Sequence, residues 1–403
     1  MSDQTLTFSR TVKASPEQVY QAFTNGTTLR EWLCDVATVA PNPGGRIYLW
    51  WNSGYYTSGE YMTSEPSSKV AFSWNGRREP SETKVEVNIT SQEGSTLITL
   101  KHSGIGSGDA WNSPVTEIKK GWESGLENLA SILENGADLR FVRRPMLGIL
   151  VGDFDEEHSK QLQVPVKKGI RIDNPIEGMG AAAAGLQQND VIIKMAGHEI
   201  TDWTSLTNAL SSNHAGDKIE VVFYRGPEKK TVTMELSQRP LPEIPATVHA
   251  LAEEIRKKYA NLEATLDQVL SGVSEEQTSH KPAPDEWSIK EIIAHLIHSE
   301  RGWQQWISEL ATSQEPVYDD FGGNLDARVQ ATVAAYPNNS EILGEFTRSR
   351  AETVALVAAL PDQFMARKGS YWRVAYNLLE TDFHFNTHLE QIQTALTPLG
   401  VGK

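Results

Sequence analysis

Alternating apolar and polar residues mark the first third of the chain as rich in β-strands. Leu6 and Phe8 begin the alternation, which places side chains of one kind on one face of a strand. Ser15, Pro16 and Gln18 then predict a capped helix start. The clearest later alternations are Val70/Phe72/Trp74, Val85/Val87/Ile89 and Ile98/Leu100. The region ends with a predicted helix whose apolar stripe is Trp122, Leu126, Leu129 and Leu133. This order predicts a curved antiparallel sheet that grips one long helix, with space for a pocket between them.

The middle and last regions have different patterns of apolar residues. Ile219, Val221 and Phe223 predict a strand, and Leu206 and Leu210, four residues apart, predict a short helix. The last third has helical periodicity throughout. Helices are predicted over about 247–270, 288–310, 339–360 and 372–396, which indicates a four-helix bundle.

Two joints separate the three regions. Gly136 ends the first helical pattern shortly before Pro145, and three prolines lie between 240 and 245. Proline fits neither a helix interior nor a central strand. We therefore predict a multidomain chain with an α+β helix-grip domain, a mostly-β domain and an all-α four-helix bundle. The predicted boundaries are 1–138, 144–238 and 246–400.

Composition narrows the classes of function. The chain has 403 residues, and 37 Lys and Arg against 52 Asp and Glu give a net charge of −15, which argues against nucleic-acid binding. Cys34 is the single cysteine, so an intrachain disulfide and a thiolate zinc cluster are excluded. The first residues have no signal-peptide pattern, and no apolar run reaches the ~20 residues of a membrane span. We expect a soluble cytoplasmic protein without a membrane span.

Three histidines in the helical region form a candidate metal site. His384 and His388 are four residues apart, so they lie one turn apart on one helix face, about 100° from its apolar stripe. His295 lies in the second predicted helix. Three neutral imidazoles from two helices suit a divalent Zn, Ni or Fe ion with open positions for water or substrate.

Other interpretations of these residues stay open. His384 and His388 could be solvated at a helix edge, and His295 could be a satisfied core residue. His298 is an alternative ligand or a residue behind the ligands. Glu300 and Asp382 are within about a turn of the ligands, which makes them candidates for a general base. The catalytic residues stay unassigned.

The helical region resembles the DinB/YfiT-like family over about 246–397. The resemblance rests on Trp287–Leu296 (WSIKEIIAHL) and Asp382–Ile392 (DFHFNTHLEQI). It implies that His295, His384 and His388 are a divalent-metal triad. Some members of the family are metal-dependent transferases that attach small thiols to electrophiles, but the reaction does not carry over with the metal. A homodimer is a further expectation from the resemblance.

The middle region resembles a PDZ domain of the bacterial HtrA type over about 144–237. The matching segments are MLGI at 146–149, AGLQQNDVI at 184–192 and GHEI at 197–200. The resemblance implies that Leu147, Gly148 and Ile149 hold a peptide's terminal carboxylate, and that ligand side chains pack against Leu206 and Leu210. Residues 180–183 (GAAA) replace the usual Ser-Pro before the Ala-Gly-Leu turn. The alternative is a PDZ fold that serves only as a spacer.

The first region resembles the START-like (SRPBCC) superfamily, in the branch that includes activators of Hsp90-type ATPases, over about 5–136. The motifs are ASPEQVYQAF at 14–23, LREW at 29–32, PGG at 43–45 and GW at 121–122. The resemblance implies an apolar cavity between sheet and helix that suits a small hydrophobic ligand. The same residues would serve as ordinary core in the alternative interpretation. The candidate lining residues are Phe72, Trp74, Val85, Val87, Trp122, Leu126 and Leu129.

Two classes of function remain. In the first, the helical domain is a metal-dependent S-transferase or hydrolase acting on a small electrophile, and the other domains recruit substrate or partner. In the second, the protein is a non-catalytic, co-chaperone-like adaptor that binds a hydrophobic ligand and peptide C-termini. The set of three ligands with an open position favours the enzyme, whereas the number of recognition domains favours the adaptor.

Overall fold

The computed structural model describes residues 4–210, 213–316, 326–380 and 382–397, without the side chains of residues 382 and 383. It separates into two compact units: one joins Met1–Asp138 to Pro242–Lys403, and the other is Leu139–Leu241. The first unit therefore contains both the N-terminal domain and the helical domain.

The N-terminal domain is a seven-stranded antiparallel sheet with one long helix. The strands follow the order β1-β7-β6-β5-β4-β3-β2, and the long helix α3 packs on β1. The sheet side that holds Val85 and Val87 belongs to the same buried core cluster as Trp122 and Leu129 of the long helix. The elements are β1 Gln4–Val12, α1 Pro16–Thr24, α2 Gly26–Trp32, β2 Val36–Val39, β3 Arg46–Trp50, β4 Tyr56–Glu65, β5 Lys69–Gly76, β6 Thr83–Gln92, β7 Ser95–Ile105 and α3 Asp109–Asn135.

Local sequence signals explain the ends of these helices. Ser15 and Gln18 form the predicted capping box at the start of α1, which satisfies two backbone donors. Gly136 follows α3 at φ 80°, a left-handed conformation that glycine adopts without steric cost. The sequence did not predict α2, a short helix that Asn25 caps through its side chain.

The second unit is a small β-rich domain with short helices. Its main sheet follows the order β14-β13-β11-β10-β9, with β12 beside β11, and β15 pairs with β8. Buried Asp190 accepts hydrogen bonds from Arg225 at 2.8 and 2.7 Å. The elements are α4 Leu139–Val142, β8 Pro145–Met146, β9 Ile149–Gly152, α5 Glu156–Gln161, β10 Ile170–Pro175, α6 Gly180–Ala183, β11 Val191–Met195, β12 His198–Glu199, α7 Trp203–Leu210, β13 Lys218–Arg225, β14 Glu228–Glu235 and β15 Ser237–Gln238.

The helical domain is built on long amphipathic helices that share their apolar faces. Helix α12 packs on both α8 and α10, and α14 and α15 both contact α8 and α10. Ser288 and Glu291 form a capping box at the start of α10. The elements are α8 Val248–Val269, α9 Glu275–Ser279, α10 Ile289–Ala311, α11 Asp326–Ala335, α12 Asn339–Ala358, α13 Asp362–Ala366, α14 Lys368–Glu380 and α15 Asp382–Leu396.

These elements confirm the predicted multidomain fold class and correct one predicted helix. The helix predicted over 372–396 begins earlier, at Lys368, and the structure describes it as α14 and α15 on the two sides of residue 381, which lies outside the described residues. The short helices α9, α11 and α13 were not predicted, because they are too short for a clear apolar period. None of the helices in the described ranges is long and apolar enough to span a membrane.

Candidate metal centre

The three predicted histidines come together at the edge of the helical domain. His384 Nε2 lies 3.2 Å from His295 Nε2 and 3.2 Å from His388 Nε2. One ring nitrogen from each residue lies within 4.8 Å of the other two. Among the described residues this is the group that could hold a metal ion through at least three side chains.

The helix periodicity explains why these side chains are accessible. On α10, Ile292 and Leu296 are buried, and His295 between them is half-buried at the edge of that face. On α15, Phe385 is buried while His384 is exposed and His388 is half-buried. The ligand atoms therefore meet where the apolar core ends and water can reach them.

The distances suit a shared cation better than hydrogen bonds alone. Two nitrogens bound to one Zn²⁺ at about 2.0–2.1 Å with tetrahedral angles lie about 3.3–3.4 Å apart. A ring nitrogen carries either one proton or one lone pair, so His384 Nε2 cannot make a full hydrogen bond to both neighbours. Three lone pairs directed at one ion would account for all three positions.

Gln391 determines which ring nitrogen of His388 carries the proton. His388 Nδ1 lies 3.0 Å from Gln391 Oε1. An amide oxygen only accepts, so Nδ1 carries the proton and donates it. The lone pair of His388 is therefore on Nε2, the atom that faces the other histidines, as in metal sites whose ligand is oriented through its second nitrogen. Sequence reasoning missed Gln391, although its i+3 spacing from His388 was available.

Trp287 covers one side of the cluster. Its ring centroid lies 5.0 Å from that of His295 and 6.5 Å from that of His388, and the second pair is stacked. This residue precedes the cap of α10 and was part of the sequence motif, but no role was predicted for it. An indole at this distance shields the imidazoles from water on one side.

The electrostatics favour neutral ligands. Burial, followed by the charge of His388, lowers the pKa of His384. Metal binding requires the unprotonated imidazole, so this shift favours the form that binds.

The other candidates near the triad have partners elsewhere. Tyr259 donates a hydrogen bond of 2.9 Å to Glu300 Oε1, and burial raises the pKa of Glu300. His298 Nε2 lies 2.9 Å from Arg328 O and therefore donates to it. Neither contact places these residues among the ligands. The side chain of Asp382 lies outside the described residues.

The candidate cavity residues of the N-terminal domain are packed against one another. All seven belong to one buried cluster, and the ring centroids of Trp74 and Trp122 are 5.4 Å apart. A buried side chain normally touches many neighbours in this way. This packing favours the core interpretation of the stripe.

A histidine that sequence reasoning missed lies inside this cluster. Trp122 Nε1 donates to His102 Nδ1 at 3.0 Å, and His102 Nε2 donates to Thr83 Oγ1 at 2.7 Å. Thr83 in turn donates to Trp74 O at 3.1 Å. Burial lowers the pKa of His102 to about 4, so its imidazole is neutral and both of its nitrogens have partners.

The predicted peptide site of the second unit combines a glycine turn with an edge strand. Leu147 is buried, Gly148 has φ 76°, and Ile149 begins β9. β9 ends the strand order of its sheet in the described part of the chain. Leu206 lies in the core, and Leu210 is partly buried against it.

Exposed apolar side chains lie on the same two elements. Leu150 and Val151 of β9 and Trp203 at the start of α7 are exposed, Trp203 by 63%. Trp203 is the first residue of α7, and Leu206 and Ala209 further along the same helix are buried. The outer face of α7 was not predicted from the sequence.

Family models match three successive regions of the chain. The model described as activator of Hsp90 ATPase homolog 1-like protein matches residues 13–134, a PDZ domain model matches 145–236, and a DinB superfamily model matches 258–392. The three resemblances are therefore confirmed. The chain combines domains of the ligand-binding AHSA1/START-like type, the peptide-binding PDZ type and the DinB-like type.

Curated relatives match over short parts of their length. The serine protease Do-like HtrA of Lactococcus lactis is 34% identical over 102 residues, which are 24% of this chain and 25% of that protein. The periplasmic serine endoprotease DegP of Escherichia coli K12 is 27% identical over 97 residues, 24% of this chain and 20% of that protein. The chain thus spans about a quarter of the first of these relatives.

Solved structures resemble about a third of the chain. An HSP90 activator from Plasmodium falciparum is 26% identical, with 32% of this chain and 95% of that chain covered and a TM-score of 0.29. The Aha1 dimer from Colwellia psychrerythraea is 22% identical, with 32% and 96% covered and a TM-score of 0.30.

Proposed function

We propose that the helical domain binds one divalent metal ion, Zn, Ni or Fe, through His295, His384 and His388. The observation that carries this proposal is the convergence of three Nε2 atoms at the domain edge. The donor set fits such an ion, because imidazole is a ligand of all three metals. Gln391 would hold His388 in the binding tautomer.

The proposed activity is thiol transfer or hydrolysis on a small electrophile. A metal ion held by three protein ligands supplies an open position that lowers the pKa of a bound water or thiol. The chain's own contribution would be to orient the three imidazoles and, through Trp287, to shield one side of the cluster from water. The general base stays unassigned.

Elemental mass spectrometry on protein purified without a nickel column tests the metal site. We expect close to one equivalent of metal in the wild type and none in the His384→Ala/His388→Ala variant. His298→Ala is the matched control, because His298 is on the same helix as His295 but contacts Arg328, and it should keep its metal. Absence of metal from the wild type, with an unchanged melting temperature in the double variant, would refute the proposal.

The adaptor function is the second candidate, and the exposed surface of β9 and α7 favours it. An extended peptide could add a strand at the edge of β9 while Gly148 leaves room for the carboxylate. The ligand of the N-terminal domain would be a small hydrophobic molecule.

Fluorescence polarisation with peptides that end in a free carboxylate tests this candidate. Amidated peptides of the same sequence are the control, since they lack the terminal charge. A Cβ on Gly148 would lie 2.2 Å from Met179 Cβ, so Gly148→Ala should abolish binding. Equal binding of free and amidated peptides would contradict a PDZ-type groove.

Location, oligomeric state and domain boundaries complete the proposal. We propose a cytoplasmic protein that does not bind nucleic acid and forms a homodimer, with domains at 1–138, 144–238 and 246–400. The negative net charge supports the absence of nucleic-acid binding. Cell fractionation, sedimentation and limited proteolysis test the other three points.

A further inference from the structure

The helical domain contacts the N-terminal domain through a polar seam. We use this name for the polar contacts that join the N-terminal domain to the helical domain, made by Gln18, Thr27, Arg30, Glu31 and Glu134. Glu315 N donates to Thr27 Oγ1 at 3.3 Å, and Arg30 Nη1 donates to Pro316 O at 3.1 Å. Further seam hydrogen bonds run from Ser370 Oγ to Glu31 Oε1, from Lys368 Nζ to Glu134 O and from Gln18 Nε2 to Ala366 O.

Glu315 is the centre of the seam. Arg373 donates to both of its carboxylate oxygens, at 2.8 and 3.0 Å, and Trp306 Nε1 donates at 2.9 Å. Arg30 from the N-terminal domain lies 3.3 Å away, and the Glu315 side chain is only 4% exposed. Burial acts to raise the pKa of Glu315, but the hydrogen bonds and charges of Arg373 and Arg30 lower it below its usual value. This carboxylate therefore stays ionised and ties three elements together.

Two glycines allow a close approach of the two domains. A Cβ on Gly136, after α3, would lie 2.4 Å from Lys368 O. A Cβ on Gly369 would lie 2.6 Å from Glu31 Oε2 and 2.9 Å from Ile132 Cγ2. At both positions a side chain would collide with the other domain, and packing this close resembles the interior of one domain more than a transient interface.

Helix α14 is shared by the two domains. Tyr371, Val374 and Leu378 on one face lie in the core of the helical domain. Ser370 and Arg373 on another face lie in the seam, and α14 packs on α2 and α3 of the N-terminal domain. The next helix, α15, carries two of the three metal ligands. The position of α15 thus depends on a helix that the N-terminal domain holds.

We propose that the N-terminal domain is the permanent intramolecular partner of the helical domain, and that it positions the metal ligands of α15 through α14. The metal part of this inference rests on the proposed function above. Because metal ligands must be held within fractions of an ångström, loosening the seam weakens metal binding without changing any ligand. Glu315 is then a positioning residue.

The test uses the full chain with a seam variant, Glu315→Gln, and a control, Glu345→Gln. Glu345 pairs with Arg301 at 2.6 Å within the helical domain, so the control removes a comparable charge outside the seam. We expect Glu315→Gln to weaken Co²⁺ or Zn²⁺ affinity about ten-fold, a typical size for coupling between sites. Glu345→Gln should leave that affinity unchanged. Ser370→Ala is a milder seam variant in case Glu315→Gln does not fold.

Hydrogen exchange of metal-free protein provides the second readout. We expect faster exchange in residues 368–380 of Glu315→Gln and no change there in Glu345→Gln. If Glu315→Gln binds Co²⁺ or Zn²⁺ with wild-type affinity, the seam does not position the metal ligands. If hydrogen exchange in residues 368–380 is unchanged in Glu315→Gln, the N-terminal domain is not the permanent partner of the helical domain. If the wild type binds no metal, the proposed function fails, whereas the exchange result still decides whether the N-terminal domain is the partner of α14.

Discussion

Histidine has opposite roles in the two domains of the first unit. His102 in the N-terminal domain is fully buried, and both of its ring nitrogens have a hydrogen-bond partner. The three histidines of the helical domain lie at an edge, with their Nε2 atoms directed at one another. A buried polar group is costly unless it is paired, so His102 is explained by packing alone. The edge histidines instead bring three ring nitrogens close together, an arrangement that suits a shared cation.

The same contrast applies to the residues around these histidines. The predicted cavity residues Trp74 and Trp122 pack against buried His102, whereas the histidine cluster has Trp287 on one side and exposed His384 on another. Burying apolar side chains away from water stabilises the folded state. Side chains that bind a metal ion need room for the ion between their donor atoms.

The largest expected effect comes from breaking the closed core with Trp122→Ala. The change removes a large buried side chain and the donor to His102, so we expect a loss of about 3–5 kcal/mol in the free energy of unfolding. Chemical denaturation measures it. Trp203→Ala is the control with the same side chain removed from an exposed position, and it should cost less than about 0.5 kcal/mol. A similarly small loss for Trp122→Ala would indicate a roomy ligand cavity instead.

The second prediction concerns how two buried groups, His102 and Glu31, make the free energy of unfolding depend on pH. Burial lowers the pKa of His102 to about 4, so the unfolded chain binds more protons between about pH 4 and 6.5, and this group makes stability rise with pH. Burial raises the pKa of Glu31 from 4.5 to about 7, partly offset by Arg373 and Ser370. The folded protein therefore binds more protons between these values, and Glu31 makes stability fall as pH rises.

The variant Glu31→Gln removes the contribution of Glu31, which makes stability fall as pH rises, and leaves the contribution of His102 in place. Its stability relative to the wild type should increase between pH 4.5 and 7 by up to about 3 kcal/mol, at about 1.4 kcal/mol for each pKa unit. Urea denaturation at several pH values measures this difference. A constant difference across this range would show that Glu31 is already ionised in the folded protein.

The variant Gln391→Leu tests whether Gln391 orients His388 in the histidine cluster. Loss of the acceptor for His388 Nδ1 frees the imidazole to adopt the wrong tautomer, so we expect metal affinity to fall about 10- to 100-fold. Metal titration with a competing chelator measures the affinity. Gln393→Leu is the control at an exposed position of the same helix. Equal affinities in the two variants would mean that Gln391 does not orient the ligand.

The smallest effect comes from Thr83→Val, which keeps the shape of the core. His102 Nε2–H would lose its acceptor, and a buried unsatisfied donor costs about 1–3 kcal/mol. Thr90→Val on the exposed part of the same strand is the control. Thermal denaturation measures both variants, and a neutral result for Thr83→Val would contradict the donor assigned to His102.

Periodicity and caps predicted most of the fold but less of the site. Ser15, Ser288 and Gly136 gave helix ends that the structure reproduces within a residue. Helix α2, over Gly26–Trp32, was missed because its seven residues are too few for a clear apolar period. The i, i+4 spacing of His384 and His388 put these two candidate ligands on one face, but the roles of Gln391 and Trp287 follow only from their distances to the histidines.

The sequence by itself determined the three domain types, the placement of the three histidines on two helices and the negative charge, because these follow from local periodicity, motifs and composition. The tertiary structure decided that the apolar stripe packs around His102, that the three edge histidines converge, and that α14 is shared between two domains. These properties depend on contacts between residues far apart in the chain, such as Glu315 with Arg30 and Ser370 with Glu31. Neither spacing nor composition encodes such contacts.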